Sequence, residues 1–436
     1  MKNLYLDFKQ YFLDCRDQDL GFYMVAGYII FSYLRPHTLF PILDVVPWTQ
    51  LFIIGGLLYA GAKSTLRFQV PHFTILLYGL VCLLSAYNSL YPTISFKNID
   101  IPFIWMLEAL CFTSCINSTK KLKLILILFF LVLFKISFFG ARTWVQRGFG
   151  FQDFGIAGPA GFFQNSGELS LLMAMLTMMS LSVMFGNDRI KKFYYIFPIT
   201  TVMTVLAASS RASQLALLIG SFIFFLIKGK LNLKYLLIAS AVLYGGYMLL
   251  PDEQKARFTS AGEDQTSQSR LLYWEKGLEM TENYPWLGVG FQGFPSYFHD
   301  NYADEIPEEA TFGKRREVAH NTLIEVSSET GYLGLAAYLL MYFIVFKINK
   351  GSRRILRGSE LNKQQPWLYQ FSIGLDIAQI LFIVGAFFMS VALYPYNYFM
   401  IMFSLSLRNS VLTEITAQKK NAASNLLMGV KAPADA

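Results

Sequence analysis

Apolar residues run along this chain in long blocks, and the blocks set its architecture. Six of them fall near 20–34, 48–62, 71–87, 98–116, 122–139 and 167–185, and six more near 193–208, 212–227, 234–250, 320–346, 368–390 and 393–407. A helix that crosses a bilayer needs about 20 mostly apolar residues, within a range of ~17–25. The stretch 193–227 predicts two helices. As one rod it would reach about 52 Å at 1.5 Å per residue, against a hydrocarbon core of ~30 Å. The break is predicted at Ser209-Ser210-Arg211. The pattern therefore predicts an all-α integral membrane protein of about 12 transmembrane helices with one large extracytoplasmic loop.

Polar segments divide the chain into a charged N-terminal segment at 1–19, helices one to nine over 20–250, a loop at 251–319, helices ten to twelve over 320–410, and a polar tail at 411–436. Lys2, Asp7, Lys9, Asp14, Arg16, Asp17 and Asp19 make the first segment an amphipathic cytoplasmic lead-in rather than a signal peptide. Inside the loop, Ser269–Leu278 predicts a short amphipathic helix with Leu271, Trp274 and Leu278 on one face. Asn283 to Gly290 reads as a turn-rich segment. Trp274, Trp286 and the aromatics between Phe291 and Phe298 suit a loop resting at the membrane interface.

Composition agrees with the blocks. Hydrophobic residues make up 54% of the 436 and charged residues 15%, where a soluble domain carries about 25% charged. With a mean hydropathy of +0.40, a soluble enzyme, a disordered chain and a small disulfide scaffold are excluded. The net charge of +8 would suggest nucleic acid in a soluble protein. Here its distribution matters more. With both termini inside, the inner segments hold twenty-four Lys and Arg, while Arg35, Lys97, Arg142, Arg147 and Arg211 alone occupy the short outer turns. Basic residues collect in cytoplasmic loops. The loop 251–319, with seven basic and thirteen acidic residues, then faces outward.

Candidate chemistry is sparse. Cys15, Cys82, Cys111 and Cys115 lack His or Asp companions and read as membrane packing, so no metal is expected. Gly61-Ala62-Lys63-Ser64 lacks the Gly-Lys pair of a phosphate-binding loop, so no ATP hydrolysis and no cofactor are expected. Asp17-Gln18-Asp19 has the spacing of a sugar-nucleotide metal motif but lies in the solvated lead-in. Arg211 stands between two apolar stretches, where a cation costs at least ~2.5–3.5 kcal/mol at the bilayer centre and is either snorkelling to lipid phosphates or holding a partner. Arg270 sits on the predicted loop helix, one turn before Trp274, and could equally be an ordinary surface arginine. His320 opens span ten and is followed by Asn321, Glu325, Ser328 and Glu329, a polar stripe that should face the protein interior. An outward-facing base must be His37, His299, His320 or a carboxylate, because His72 begins a span on the inner side. The segment from Arg142 and Arg147 to Gln164, Asn165 and Glu168 reads either as an ordered polar loop over the membrane or as a plain connection.

Taken in order, these pieces resemble the O-antigen ligase and O-antigen polymerase family of bacterial envelope proteins. The residues that carry the likeness are Ser210-Arg211-Ala212, Arg270 to Trp274, Asn283 to Gly290, Ala319-His320-Asn321 and Glu329 to Gly334, with Phe163-Gln164-Asn165 before span six. They cover roughly 160–350. Tyr33-Leu34-Arg35-Pro36-His37 is similar to ligase-like proteins of exopolysaccharide systems linked to exosortases. The resemblance implies transfer of a glycan from a polyprenyl-pyrophosphate donor to a hydroxyl of a glycan, lipid or protein acceptor, in the bacterial inner membrane with the site facing outward. On it, His320 is the general base and Arg211 and Arg270 bind the donor pyrophosphate. Asn321, Glu329, Gln164, Asn165, Arg142 and Arg147 are supporting candidates. A ligase and a polymerase of this family remain alternatives. The rival from another class is a transporter or flippase using Glu108, Lys135, Glu168 and Asp376, but the paired half-repeats of such proteins are not visible in the sequence.

Overall fold

The computed structural model describes residues 2–150, 155–159, 163–186, 192–228, 265–306 and 316–427. Regular structure among them is helical, with no strand. The helices that matter below are α1 (Lys2–Arg16), α2 (Leu20–Ile29), α3 (Trp48–Ala62), α4 (Val70–Tyr87), α5 (Ile101–Cys115), α6 (Thr119–Gln146) and α7 (Ser166–Phe185). After them come α8 (Ile196–Ala207), α9 (Arg211–Ile227), α10 (Gln265–Asn283), α11 (Phe294–Tyr302), α12 (Thr322–Leu356), α13 (Trp367–Ala386) and α14 (Pro395–Leu427).

Five of these, α4, α6, α7, α12 and α13, are long and apolar enough to cross a membrane, and five more apolar helices are shorter. The chain is a helical membrane protein. The predicted ninth span at 234–250, and the loop residues 251–264 and 307–315, lie outside the described residues. The predicted break before Arg211 is present, with α8 ending at Ala207 and α9 opening at Arg211. Three helices run well past their predicted ends: α6 continues to Gln146 instead of 139 and α12 to Leu356 instead of 346, and α14 continues furthest. The last apolar block runs on as helix to Leu427 instead of ending near 407, because its charged continuation is still rich in the helix formers Ala, Gln, Leu and Lys.

Small residues and hydroxyls bring the helices together, as expected where lipid supplies no hydrophobic drive. α13 packs most extensively on α7; a Cβ on Gly374 would meet Ser182 at 2.7 Å, and one on Gly385 would meet Leu171 at 2.6 Å. Between α6, α7 and α8, Ser137 bonds Thr200 at 3.0 Å and Thr177 bonds Thr201 at 2.8 Å.

Polar contacts sort the connections into two ends. At one end Lys121 meets Asp19 at 2.6 Å, Lys120 meets Asp14 at 3.0 Å, Tyr194 donates to Asp7 at 2.8 Å, and Gln365 donates to Thr119 at 3.3 Å. Lys228 is hydrogen-bonded to Gln370 there. These are the basic connections. At the other end Ile156 N–H donates to Ala207 O at 3.2 Å, Leu90 N–H to Val289 O at 3.2 Å, and Asn98 to Gln292 at 2.8 Å.

The long loop is docked on that second end through a kink in α12. Gly331 leaves the helix with φ 67° and ψ −171°, a conformation that a Cβ would strain. The kink opens the helix ladder, and the loop takes over the exposed groups. Val289 N–H donates to Ser328 O at 2.8 Å, Gly290 N–H to Glu329 O at 3.2 Å, and Tyr332 N–H to Pro285 O at 2.7 Å. Ser85 of α4 adds a 2.7 Å bond to Glu329 O. A Cβ on Gly331 would stand 2.3 Å from the Trp286 carbonyl carbon, so backbone meets backbone here.

Above this junction a second small core forms from Tyr273, Met280, Val289, Phe294, Phe298, Tyr302 and Ala319. The loop helix is longer than its predicted core, Ser269–Leu278. Leu271 and Leu278 do share a face, and it is the outer one, at 57% and 52% exposure, while Tyr273 and Met280 point inward. Trp286, in the turn segment, is exposed at 69%.

Candidate active site

Three helices begin on the loop-covered end. α7 starts after Asn165, whose side chain accepts from Gly167 N–H at 2.8 Å while Glu168 reaches back to Asn165 N–H at 3.4 Å. α12 starts after Asn321, whose side-chain oxygen accepts from Leu323 and Ile324 N–H at 3.0 and 3.2 Å. α9 starts at Arg211, and Ser210 at its cap position makes no side-chain capping bond. The turn before it is tight, with Ser209 at φ 54°.

The segment after α13 ties these starts together. Ser213 of α9 donates to Gly167 O of α7 at 3.2 Å. Thr322 of α12 donates to Met389 O at 2.6 Å and accepts from Val391 N–H at 3.0 Å. Tyr394 donates to Glu168 at 2.5 Å, and Tyr396 donates to Glu168 O at 2.6 Å. The positive ends of three helix dipoles thus lie at this end, an environment that favours an anion.

The loop helix packs against the start of α12. Tyr273 lies 6.3 Å from the His320 ring, centroid to centroid, and its hydroxyl donates to Glu317 at 3.1 Å. Trp274 lies 6.2 Å from Phe388, in the tying segment. Arg270, one turn before Trp274, acts electrostatically on His320. Burial pushes the His320 imidazole below its ordinary value, the Arg270 charge pushes the same way, and Glu317 opposes both. The histidine is therefore held neutral near pH 7. Its backbone is also unusual, with φ 51°, a left-handed conformation that non-glycine residues adopt uncommonly.

The structure brings His320, Asn321, Arg211, Arg270 and Asn165 to one end of the molecule. Asn321 and Asn165 serve there as helix caps. Glu329 lies one step deeper, buried, accepting from Phe294 N–H at 3.3 Å and holding the loop to the kink. Gln164 is exposed just before the α7 cap, and Arg142 and Arg147 are exposed at the end of α6. No contact described joins these three to His320. His37 instead stacks on Phe31 at 6.2 Å, and His299 pairs with the adjacent Asp300 at 3.1 Å. His72 is buried at the other end, between Gln69 N–H and Thr113.

Sequence reasoning missed Tyr273, Glu317 and Tyr394. A tyrosine inside the Arg270–Trp274 run was visible, but its inward direction was not. Nothing in the sequence brings Tyr394 to Glu168, which is 226 positions away.

Residues 196–339 match the profile of the family described as O-antigen ligase. The likeness is to the O-antigen ligase family. The matched stretch contains Arg211, Arg270, His320, Asn321 and Glu329, whereas Arg142, Arg147, Gln164 and Asn165 lie before it. The chain is also similar to the exopolysaccharide production protein ExoQ of Rhizobium meliloti (strain 1021), with 33% identity over 88 residues. That similarity spans about a fifth of each chain.

The four ionisable residues of the transporter alternative are dispersed. Glu108 accepts from Tyr28 at 2.5 Å inside the bundle, Glu168 binds Tyr394 at the loop end, and Asp376 meets Arg353 at 2.6 Å. Lys135 is exposed on the flank of α6. The described contacts make no connected path between them.

Proposed function

We propose that this protein transfers a glycan from a polyprenyl-pyrophosphate donor to an acceptor hydroxyl, at the end of the molecule covered by the long loop. The observation that carries the reading is a half-buried His320 within electrostatic reach of Arg270 and against Tyr273, at the end where three helices begin. In the reaction the acceptor oxygen attacks the anomeric carbon, the bond from that carbon to the pyrophosphate breaks, and the acceptor proton passes to the His320 imidazole. The leaving group departs as polyprenyl pyrophosphate, already a weak base, so it needs cations and dipoles more than a proton donor. Arg211, at the uncapped start of α9, and Arg270, from the loop helix, supply them. No nucleotide is consumed, because the donor is already activated.

The pH profile tests the assignment of the base. A protonated imidazole cannot accept the acceptor proton, so transfer is lost as pH falls through the His320 pKa. Since that pKa is lowered, the acid limb of kcat/KM is expected below the ordinary imidazole value of about 6.5. Arg270→Gln removes a charge that lowers it, and should move the limb upward besides slowing transfer. Glu317→Gln removes the opposing carboxylate, and should move the limb further down. A limb that stays put in both variants would assign the titration to another group.

The similarity to an exopolysaccharide production protein favours a second reading, in which the acceptor is itself a growing glycan and the reaction is a polymerisation. The residues and steps are the same; only the acceptor differs.

The sidedness proposed is a bacterial inner membrane with both termini cytoplasmic and the loop outside, supported by the clustering of basic connections at the opposite end. Single cysteines at Gln265 and Arg353, in a background without the four native ones, are to be probed in intact cells with an impermeant thiol reagent. Labelling at 265 and not at 353 is expected. The reverse pattern would put His320 on the wrong side for the donor.

A further inference from the structure

At the end away from the candidate active site, a cleft of about 550 Å³ opens between α4, α12 and α14. Its walls are apolar, made by Val70, Leu340, Phe343, Ile344 and Leu405, and its polar lining is Gln69, Lys347 and Arg408. We infer that this cleft binds an anionic membrane phospholipid, with the phosphate between Lys347 and Arg408 and the first part of an acyl chain along the apolar wall.

Charge complementarity carries the choice of occupant. Among the described residues, two cations line the cleft and no carboxylate does. The nearby Asp376 is already engaged by Arg353 at 2.6 Å and by Asn349 at 2.8 Å. Arg408 is held in place rather than trailing outward: its guanidinium lies so close to α12 that a Cβ on Gly351 would meet it at 2.7 Å. Lys347 is one turn earlier on that helix, with its ammonium 6.0 Å from the Phe343 ring. Gln69 and Asn409 close the polar end through a reciprocal pair of 2.9 Å bonds. Val70 and Phe343 are 65% and 62% exposed, which leaves the apolar wall open to a lipid chain. Basic pockets between membrane helices on the cytoplasmic side suit anionic headgroups. Cations that merely snorkel to bulk lipid would need no cavity beside them.

The full chain, reconstituted in bilayers of equal parts phosphatidylglycerol and phosphatidylcholine, is to be released into detergent and its retained lipid measured by native mass spectrometry. The wild type is expected to keep phosphatidylglycerol in preference to phosphatidylcholine. Lys347→Gln and Arg408→Gln should each lower that preference about five-fold, the worth of one cation at an anionic surface. Val70→Trp, which fills the cleft and keeps both charges, should abolish it, and Lys350→Gln, an exposed lysine off the cleft, should leave it intact. Inorganic phosphate added in detergent should not displace the retained lipid. The inference is overturned if the wild type shows no preference, or if Val70→Trp retains phosphatidylglycerol as the wild type does. It is equally overturned if both glutamine variants keep the preference, or if inorganic phosphate displaces the lipid, which would make the cleft a site for free phosphate.

Discussion

Replacing His320 by alanine is expected to slow glycan transfer by about 10²–10⁴-fold, the usual cost of losing a general base, while the protein still reaches the membrane and binds donor. The ring is half-buried against Tyr273, and no described helix depends on it: Asn321, not His320, caps α12. The backbone at 320 is left-handed, and Asn tolerates that conformation better than most residues. His320→Asn is therefore the companion variant, expected to be as well folded as the parent and equally slow. His37→Ala and His299→Ala should transfer within a few-fold of the parent, because one ring stacks on Phe31 and the other pairs with Asp300. Transfer by purified protein, with lipid-linked glycan and acceptor in detergent, is the measurement. A His320→Asn variant with near-parental rate would move the base to a carboxylate, with Glu325 and Glu329 the first candidates.

Arg211→Lys and Arg270→Lys should each slow transfer despite keeping the charge. A guanidinium binds a phosphate through two parallel N–H bonds, whereas an ammonium is a point charge on a flexible stem. Losing such a contact to a leaving pyrophosphate should cost about 2–4 kcal/mol, or roughly 30- to 1,000-fold in rate. The two sites then separate by pH. Arg270→Lys preserves the positive charge that depresses the His320 pKa, so its acid limb should remain near the parent's while that of Arg270→Gln rises. Full activity in both lysine variants would mean that only diffuse positive charge is required there.

Most of the helical framework was legible because a membrane helix announces itself in length and composition alone. The block at 48–62 is the helix Trp48–Ala62, and the break at Ser209 follows from a rod too long for the bilayer. What was hidden depends on contacts between distant residues. The kink at Gly331 matters because Pro285, Val289 and Gly290 bond to it, yet a glycine inside a predicted span carries no sign of a partner some 40 positions back. The outward face of Leu271 and Leu278 was hidden for a related reason. Periodicity shows that they share a side, and only the inward packing of Tyr273 and Met280 decides which side that is. At the candidate site, sequence position put His320, Arg211 and Arg270 on one side of the membrane through charge distribution. It could not supply Tyr273, Glu317 or the Tyr394–Glu168 bond, which depend on the helices packing first.

The proposed reaction is a covalent transfer that consumes a lipid-linked donor and an acceptor, with no nucleotide. Purified protein in detergent, given polyprenyl-pyrophosphate-linked glycan and a hydroxyl acceptor without nucleotide, should release polyprenyl pyrophosphate in step with new glycosidic product, one for one. If sealed vesicles of the same protein move the intact donor across the bilayer while neither product forms, the protein is a transporter and not a transferase.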